Sequence, residues 1–259
     1  MNTILALAGV VIMELYRRKD FYVLFVLTVL ITLVMASLSF FHDTGIVRYV
    51  KEIALLLIWV SALVIAVGTT ARQIHAEREN RTIFPLLAKP VTRGQVIVGK
   101  FLGCWLACGL ALVVFYLFFG VISGSREHYW PVLSLFQAFW LQWVMLGIVV
   151  AFVLLGSVVF AAPSSNATIS FIVVFGLLLL GGHLNQVALQ QPEPLRSVIY
   201  TIYFVIPHLE WYDVRDLVIY DWNRVPWVDC ALATVYAGVY SALLLFGAWL
   251  VFRRKALNL

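Results

Sequence analysis

The sequence predicts an all-α integral membrane protein whose chain crosses the bilayer six times. The chain is 63% hydrophobic and 12% charged, with a mean hydropathy of +0.97. Soluble domains are about 45–50% apolar and about 25% charged. Several uncharged runs reach the roughly 20 residues that an α-helix needs to cross a membrane. The net charge of +5 does not indicate nucleic-acid binding, because the basic residues cluster at the ends of these runs.

The predicted elements follow the uncharged runs within one membrane domain, residues 1–259. Residues 1–20 form a helix in the membrane interface, with apolar side chains at helical spacing from Ile4 to Leu15. The alternative is the frayed start of the first span. The spans are predicted at 21–41, 53–71, 101–123, 132–160, 169–186 and 230–252, with a polar loop at 42–52. Residues 128–192 contain no Asp, Glu, Lys or Arg, so the break there is assigned to the Pro and small polar residues of 161–168.

A polar, acidic loop is predicted at 187–229, on the opposite side of the membrane from the charged stretch described below. Its apolar piece, 198–206, is too short to cross and predicts a re-entrant or interfacial segment. The acidic side chains of this loop favour a solvated surface over a cation site; they are Glu193, Glu210, Asp213, Asp216, Asp221 and Asp229.

Orientation follows from the Lys and Arg residues, which accumulate on the cytoplasmic side of bacterial membranes. With six spans, both termini and residues 72–100 lie on one side together with 12 of the 18 basic residues. The acidic residues divide the opposite way, four against nine. The sequence therefore predicts a multi-pass membrane protein with both termini in the cytoplasm.

The charged stretch, residues 72–100, holds six of the 18 Lys and Arg residues. Pro85 disfavours helical geometry at Phe84, so a short helix leaving the second span is expected to kink there. Ile83, Leu86 and Leu87 are predicted to form a small exposed apolar patch, with Glu77, Arg78, Glu79 and Arg81 around it. An apolar patch with a charged rim is typical of a docking surface. The predicted docking residues are Arg72, Gln73, Glu77, Arg78, Glu79, Arg81, Thr82, Ile83, Leu86 and Leu87. The alternative is an interfacial helix whose apolar side lies among the lipid head groups.

A partial phosphate-binding motif runs from Gly94 to Lys100. The next residue is Phe101, where a Ser or Thr hydroxyl is needed to hold magnesium, so nucleotide binding is not predicted. The same residues place Gly99 four positions before Gly103, a spacing that lets two helices approach closely.

No catalytic motif or metal-ligand cluster occurs in the sequence, so the chain is not expected to be an enzyme. Cys104 and Cys108 are interpreted as packing residues, and His183 as an interfacial histidine. Asn80 and Asn166 match the glycosylation pattern but lie on the predicted cytoplasmic side. The spans carry almost no ionisable groups, which argues against an ion-coupled carrier.

The charged stretch resembles the first cytoplasmic loop of ABC-2-type permeases, the membrane subunits of ATP-binding-cassette exporters. The resemblance is carried by Glu77-Arg-Glu79-x-x-Thr82-Ile-x-x-Leu86-Leu87-Ala-Lys-Pro90-Val-x-Arg93-Gly-x-Val-x-x-Gly99-Lys100. The layout of the whole chain is also similar. Arg81 departs from the family pattern, which usually has a small residue before the Thr. Residues 207–216 are similar to the outer loop of the branch linked to multicopper-enzyme maturation, such as nitrous-oxide reductase assembly.

The resemblance implies a half-transporter that binds no cofactor itself. A cytoplasmic ABC ATPase would dock on the charged stretch, with ATP and magnesium in that partner. A second permease protomer, identical or different, would complete the pathway by alternating access, in the direction of export. The alternative is a scaffold or mechanotransmitting subunit of an ATPase-driven assembly complex without transport. In that case the acidic loop would bind a periplasmic protein. Membrane lipid is the remaining expected partner, and no nucleic acid is expected.

Overall fold

The computed structural model of the chain describes residues 2–17, 22, 26, 29, 44–75, 92–127, 130–190, 192–193, 195–220 and 222–254. These residues form helices and connecting turns, and none of them forms a β-strand. The helices are α1 (Asn2–Arg17), α2 (Thr44–Thr70), α3 (Arg93–Glu127), α4 (Val132–Val159), α5 (Pro163–Gln190), α6 (Leu195–Val205), a 3-10 helix (Leu209–Tyr212), α7 (Arg215–Ile219) and α8 (Trp227–Arg254).

Four stretches of the described chain are long and apolar enough to cross a membrane: Lys51–His75, Arg93–Ser125, Val132–Val159 and Trp227–Arg254. They establish a multi-pass, helical membrane protein. The stretch Pro163–Leu179 is a shorter apolar helix, and it forms the first part of α5. Apart from residues 22, 26 and 29, the predicted first span at 21–41 lies outside the described residues. The count of six spans therefore stays a prediction.

Two helices begin earlier than the charge pattern indicates. Helix α2 starts at Thr44, within the polar loop expected at 42–52, and α3 starts at Arg93, within the charged stretch. The physical reason is the same in both places. Charged residues such as Arg48 and Lys100 end an apolar window, but they are compatible with helical backbone that continues beyond the hydrocarbon layer.

Helix α4 is the central element of the bundle and contacts α2, α3, α5 and α8. Its pairing with α3 includes a reciprocal tryptophan contact. The Trp105 indole N–H donates to the Trp143 carbonyl oxygen over 2.9 Å, and the Trp143 indole N–H donates to the Trp105 carbonyl oxygen over 3.1 Å. The two rings stack with their centroids 4.5 Å apart. This arrangement satisfies both indole donors inside the apolar layer, where an unpaired donor is costly.

Helix α1 packs on α3 at Gly103. A Cβ atom on Gly103 would lie 2.8 Å from the Val11 Cβ and 3.0 Å from the Ala8 Cα, so only glycine permits this approach. Ala8 and Val11 are buried at the contact, whereas Leu5 is exposed. The predicted close approach at this glycine is confirmed, with α1 as the partner. Residues 2–17 form a helix packed on α3, and the residues that would join it to the predicted first span, 18–21, lie outside the described residues.

The short-helix segment, residues 195–219, comprises α6, the 3-10 helix and α7. Its first helix, Leu195–Val205, is 11 residues long, and its apolar residues Val198 and Phe204 are exposed. The following part turns into the bundle, because Leu209 and Tyr212 are each only 1% exposed. The 3-10 helix contacts α4 and α5, and α7 contacts α2 and α4. This segment closes the end of the bundle at which α4 and α8 begin.

Candidate functional site

The predicted docking residues begin at the end of α2, where Arg72 is exposed and Gln73 is buried. The other predicted docking residues lie outside the described residues: Glu77, Arg78, Glu79, Arg81, Thr82, Ile83, Leu86 and Leu87. The structure describes the two flanks on which that stretch is mounted. We call residues 72–75 the first flank and residues 92–100 the second flank.

The first flank is fixed to the connection between α4 and α5 by His75. Its Nδ1 lies 3.2 Å from the Ala71 carbonyl oxygen, and its Nε2 lies 3.1 Å from the Phe160 carbonyl oxygen. A neutral imidazole donates from one nitrogen at a time, so the bond to the Phe160 carbonyl belongs to the tautomer that carries its proton on Nε2. Phe160 directly follows α4, and the side chain of His75 is buried with 4% exposure. The imidazole therefore joins the end of one predicted span to the end of another.

The two flanks are joined to each other by Gln73 and Lys100. The Lys100 ammonium donates to the Gln73 Oε1 over 3.1 Å, and the two residues are 4% and 3% exposed. A buried ammonium is costly without hydrogen-bond acceptors. The charge-assisted bond therefore holds the start of the charged stretch against its end, 27 residues later.

The second flank is helical because Thr92 and Gln95 form a capping box. The Thr92 backbone N–H donates to the Gln95 Oε1 over 2.9 Å, and the Gln95 backbone N–H donates to the Thr92 Oγ1 over 3.3 Å. This exchange satisfies donors that the first turn of a helix otherwise leaves free. Residues 93–100 therefore form the first turns of α3, and the partial phosphate-binding motif from Gly94 to Lys100 is helix instead of a loop.

Arg93 ties the second flank to the end of α8. Its guanidinium donates to the carbonyl oxygens of Phe252 over 2.6 Å and Arg253 over 3.2 Å. The same group lies 5.4 Å from the centre of the Phe252 ring. The last carbonyls of a helix lack intrahelical partners and carry partial negative charge, so a guanidinium is well placed to cap them. We call this end of the bundle, which carries Arg93 and Arg253, the basic end.

Side-chain hydrogen bonds hold both described flanks to the ends of helices in the bundle. The charged stretch between them is therefore attached firmly at both of its ends. Within the described ranges, no group of three or more His, Cys, Asp or Glu side chains is placed to hold a metal ion. Cys104 and Cys108 are buried in the core of the bundle, which confirms their interpretation as packing residues. Asn166 is fully buried, and its Nδ2 donates to the Val153 carbonyl oxygen over 3.1 Å.

The end of the bundle opposite the basic end carries the polar groups of the short-helix segment. His208 is buried, and its Nδ1 lies 3.2 Å from the Glu210 Oε1. Asp213 accepts two bonds of 2.7 Å from the Arg215 guanidinium, and this bonding raises the Arg215 pKa above its ordinary value. Burial raises the pKa of Tyr212.

The acidic residues of the predicted outer loop are mostly solvated, as expected. Four of them are exposed, whereas Glu210 is half-buried: Glu193, Asp213, Asp216 and Asp229 are the exposed ones. Asp221 lies outside the described residues.

A family model described as ABC-2 family transporter protein matches residues 4–256, which is nearly the whole chain. The chain belongs to the ABC-2 transporter family. It is therefore a permease subunit of an ABC transporter, and the resemblance seen in the charged stretch is confirmed at the level of the family. Members of this family are membrane subunits that work with an ABC ATPase. No curated protein matches the chain.

Sequence reasoning missed three side chains that mount the charged stretch of this permease. His75 was not singled out, and Lys100 and Arg93 were noted only as basic residues of the charged stretch and members of the family-like motif. One local signal was available. Thr92 followed three residues later by Gln95 before an apolar run is the pattern of a helix start, so the second flank could have been assigned to α3. The contacts of His75 and Arg93 join residues 85 and 159 positions apart, and local sequence does not encode such distances.

Proposed function

We propose that this permease docks a cytoplasmic ABC ATPase through Arg72, Gln73, Glu77, Arg78, Glu79, Arg81, Thr82, Ile83, Leu86 and Leu87. ATP and magnesium bind in that ATPase, and this chain binds neither. Nucleotide-driven closure of the ATPase moves the docking residues, and the permease shifts between inward- and outward-open states. A second permease protomer completes the pathway, and the direction of transport is export.

One observation supports the proposal above the others: both flanks of the docking residues are fixed to the ends of predicted spans. His75 joins the first flank to α4, and Arg93 joins the second flank to α8. A force applied between the flanks is therefore delivered to two helices at once. A flexible loop without such bonds would absorb the displacement by bending.

Placement in the bacterial inner membrane with cytoplasmic termini follows from the same proposal, because the ATPase is soluble and uses cytoplasmic ATP. The basic end carries Arg72, Arg93, Arg253 and Arg254, which agrees with the preference of Lys and Arg for the cytoplasmic side. The likeness of residues 207–216 to the nitrous-oxide reductase branch stays a prediction.

The test of docking is a double charge reversal, Glu77→Lys with Glu79→Lys. We expect the variant permease to insert and fold but to lose the ATPase during affinity purification in mild detergent, because two favourable charges become repulsive. The matched control reverses two acidic residues at the opposite end, Glu52→Lys with Glu193→Lys, both of which are exposed. Retention of the ATPase by the first variant, or its loss only in the control, contradicts the docking assignment.

A mechanotransmitting role without transport is the second candidate function. It is favoured by the short-helix segment, which is packed into the bundle through Leu209 and Tyr212 instead of standing free as a loop. Such a segment can pass movement to a periplasmic protein. Reconstitution with the ATPase in liposomes separates the two functions, since stimulation of ATP hydrolysis by a transported substrate supports the permease role. Stimulation by a periplasmic protein alone supports the mechanical role.

A further inference from the structure

We propose that α8 is a rod that carries movement from the charged stretch at the basic end to the short-helix segment at the opposite end. The inference rests on the proposed function, since the docked ATPase supplies the movement. It assigns Arg93 and Tyr212 as the positioning residues that attach the two ends of the rod.

The attachment at the basic end is short and polar. Arg93 donates to the carbonyl oxygens of Phe252 and Arg253, over 2.6 and 3.2 Å. Gly94 lies beside the Trp249 indole, which a Cβ on Gly94 would meet at 3.5 Å. Hydrogen bonds from a charged group are shorter and stronger than those between neutral groups, so this attachment is firmer than an apolar contact of the same size. Displacement of the second flank therefore displaces the end of α8.

The attachment at the opposite end joins α8 to three places on the short-helix segment. The Tyr212 hydroxyl donates to the Ala233 carbonyl oxygen over 2.7 Å, and the His208 backbone N–H donates to the Tyr236 hydroxyl over 3.1 Å. The Tyr240 hydroxyl lies 3.4 Å from the Phe204 carbonyl oxygen. On α8 the bonded residues are Ala233, Tyr236 and Tyr240. Residues three or four positions apart lie on the same side of a helix, so all three face the short-helix segment.

Aromatic rings make the same attachment rigid. The His208 ring lies between those of Tyr203 and Trp211, at centroid distances of 4.2 and 4.5 Å. The Trp211 ring is 5.6 Å from that of Tyr236 on α8. The His208 and Trp211 rings are stacked, and the other two pairs are tilted by 45°. Aromatic pairs in such arrangements attract one another beyond the burial of their area. These rings attach the 3-10 helix to α8, in addition to its contacts with α4 and α5.

Helix α8 is suited to move because little of it is enclosed. Only 22% of its most apolar stretch is buried, compared with 72% for α4. Its 28 residues span about 42 Å at 1.5 Å per residue, enough to reach from one end of the bundle to the other. Its main neighbour is α4, and small sliding movements between packed helices are a known form of conformational change.

The two flanks differ in what they hold, and this gives the movement a direction. His75 fixes the first flank to Phe160 at the end of α4, which is the most enclosed helix of the four apolar stretches. Arg93 fixes the second flank to α8. Closure of the ATPase on the stretch between them therefore acts on α4 through His75 and on α8 through Arg93. Because α8 is the less enclosed of the two helices, we expect it to shift more, and its bonds to Tyr212, His208 and Phe204 carry that shift to the short-helix segment.

The experiment measures a distance at the far end of the bundle while the near end is perturbed. Spin labels are placed at Val132→Cys, at the start of α4, and Val205→Cys, in the short-helix segment; these positions are 64% and 70% exposed. The native cysteines are buried, and labelling of the chain without the introduced pair gives the background. Distances are recorded for the complete permease–ATPase complex without nucleotide and after trapping with ATP and vanadate.

We expect trapping to change the 132–205 distance in the labelled permease that is otherwise unaltered. Arg93→Met should abolish this change while the ATPase still co-purifies and hydrolyses ATP. Tyr212→Phe should reduce it, because it removes one of the three bonds that attach α8 to the short-helix segment. Arg254→Met is the matched control, because it removes an exposed cation one residue from the attachment and should leave the change intact.

An unchanged distance response in both Arg93→Met and Tyr212→Phe overturns the proposal that α8 carries movement from one end of the bundle to the other. So does a labelled wild-type complex in which trapping produces no change of distance, and in that case docking still stands because co-purification reports it separately. Failure of the ATPase to co-purify with the wild-type permease overturns the proposed function. It also overturns the proposed role of α8, which depends on a docked ATPase.

Discussion

The bond between Gln73 and Lys100 should couple the two flanks of the charged stretch energetically. Gln73→Leu leaves the buried Lys100 ammonium without this acceptor, and Lys100→Met removes the charge itself. A hydrogen bond to a charged group contributes about 1.5–3 kcal/mol. The bond length of 3.1 Å and the burial of both residues place this pair in that range. A loss of that size changes the ratio of folded to unfolded protein roughly tenfold or more.

The assay is a double-mutant cycle on the purified permease, with unfolding by SDS in mixed micelles followed through tryptophan fluorescence. We expect the free energies of unfolding of Gln73→Leu, Lys100→Met and the double variant to give a coupling of about 1.5–3 kcal/mol, with the double variant less destabilised than the sum of the single variants. Additivity within about 0.5 kcal/mol would show that the two side chains do not interact, and the joining of the flanks would be refuted.

Three further substitutions test the packing of the bundle, each measured as the free energy of unfolding in the same assay. Gly103→Leu should cost about 1–3 kcal/mol and release α1 from α3, because Val11 Cβ and the Ala8 backbone occupy the space; protection of α1 from protease that is equal to wild type would contradict this. Gly156→Ala should cost about 1–3 kcal/mol, because the new methyl group displaces the Asn166 amide from its bonds; a neutral change would show that the amide can move freely. Trp143→Phe should cost about 0.5–1.5 kcal/mol by removing the indole hydrogen bond to the Trp105 carbonyl, which lies within helix α3, and an unchanged stability would contradict the reciprocal pairing.

The central spans were predictable because their signal is local. An uncharged run of sufficient length implies a membrane helix whatever the rest of the chain does. Helices α3, α4 and α8 accordingly cover the runs predicted at 101–123, 132–160 and 230–252, with a slightly different end for α4. The starts of α2 and α3 were placed too late, because charge marks the edge of the lipid and not the end of helical hydrogen bonding.

The burial of the short-helix segment was not predictable from its composition. Residues 187–229 are rich in Pro and acidic side chains, and this indicates a solvated loop. Tyr212 and Leu209 are nevertheless almost fully buried, since α4 and α5 provide a surface that they fill and the Tyr212 hydroxyl bonds to α8. The contact depends on helices distant in sequence, and no periodic pattern within a four-residue 3-10 helix can reveal it.

Composition and the resemblance to a family suggested the docking surface. They did not suggest the contacts that attach its two flanks to the bundle. Arg93 reaches a helix end 159 positions later, and His75 reaches Phe160. Neither partner is a charged side chain, because both bonds go to backbone carbonyls that every residue carries. Charge complementarity in the sequence could not have identified them.

Photo-cross-linking from the charged stretch tests most directly whether an ATPase binds the permease at those residues. A photoreactive amino acid is placed at Ile83 or Leu86 in the predicted apolar patch, and at exposed Val228 near the opposite end of the bundle as the comparison. We predict that irradiation of the membrane-embedded complex joins the ATPase to the permease from positions 83 and 86 and not from position 228. Cross-links to the ATPase from position 228 alone, or from none of the three positions when the ATPase co-purifies, would contradict the account.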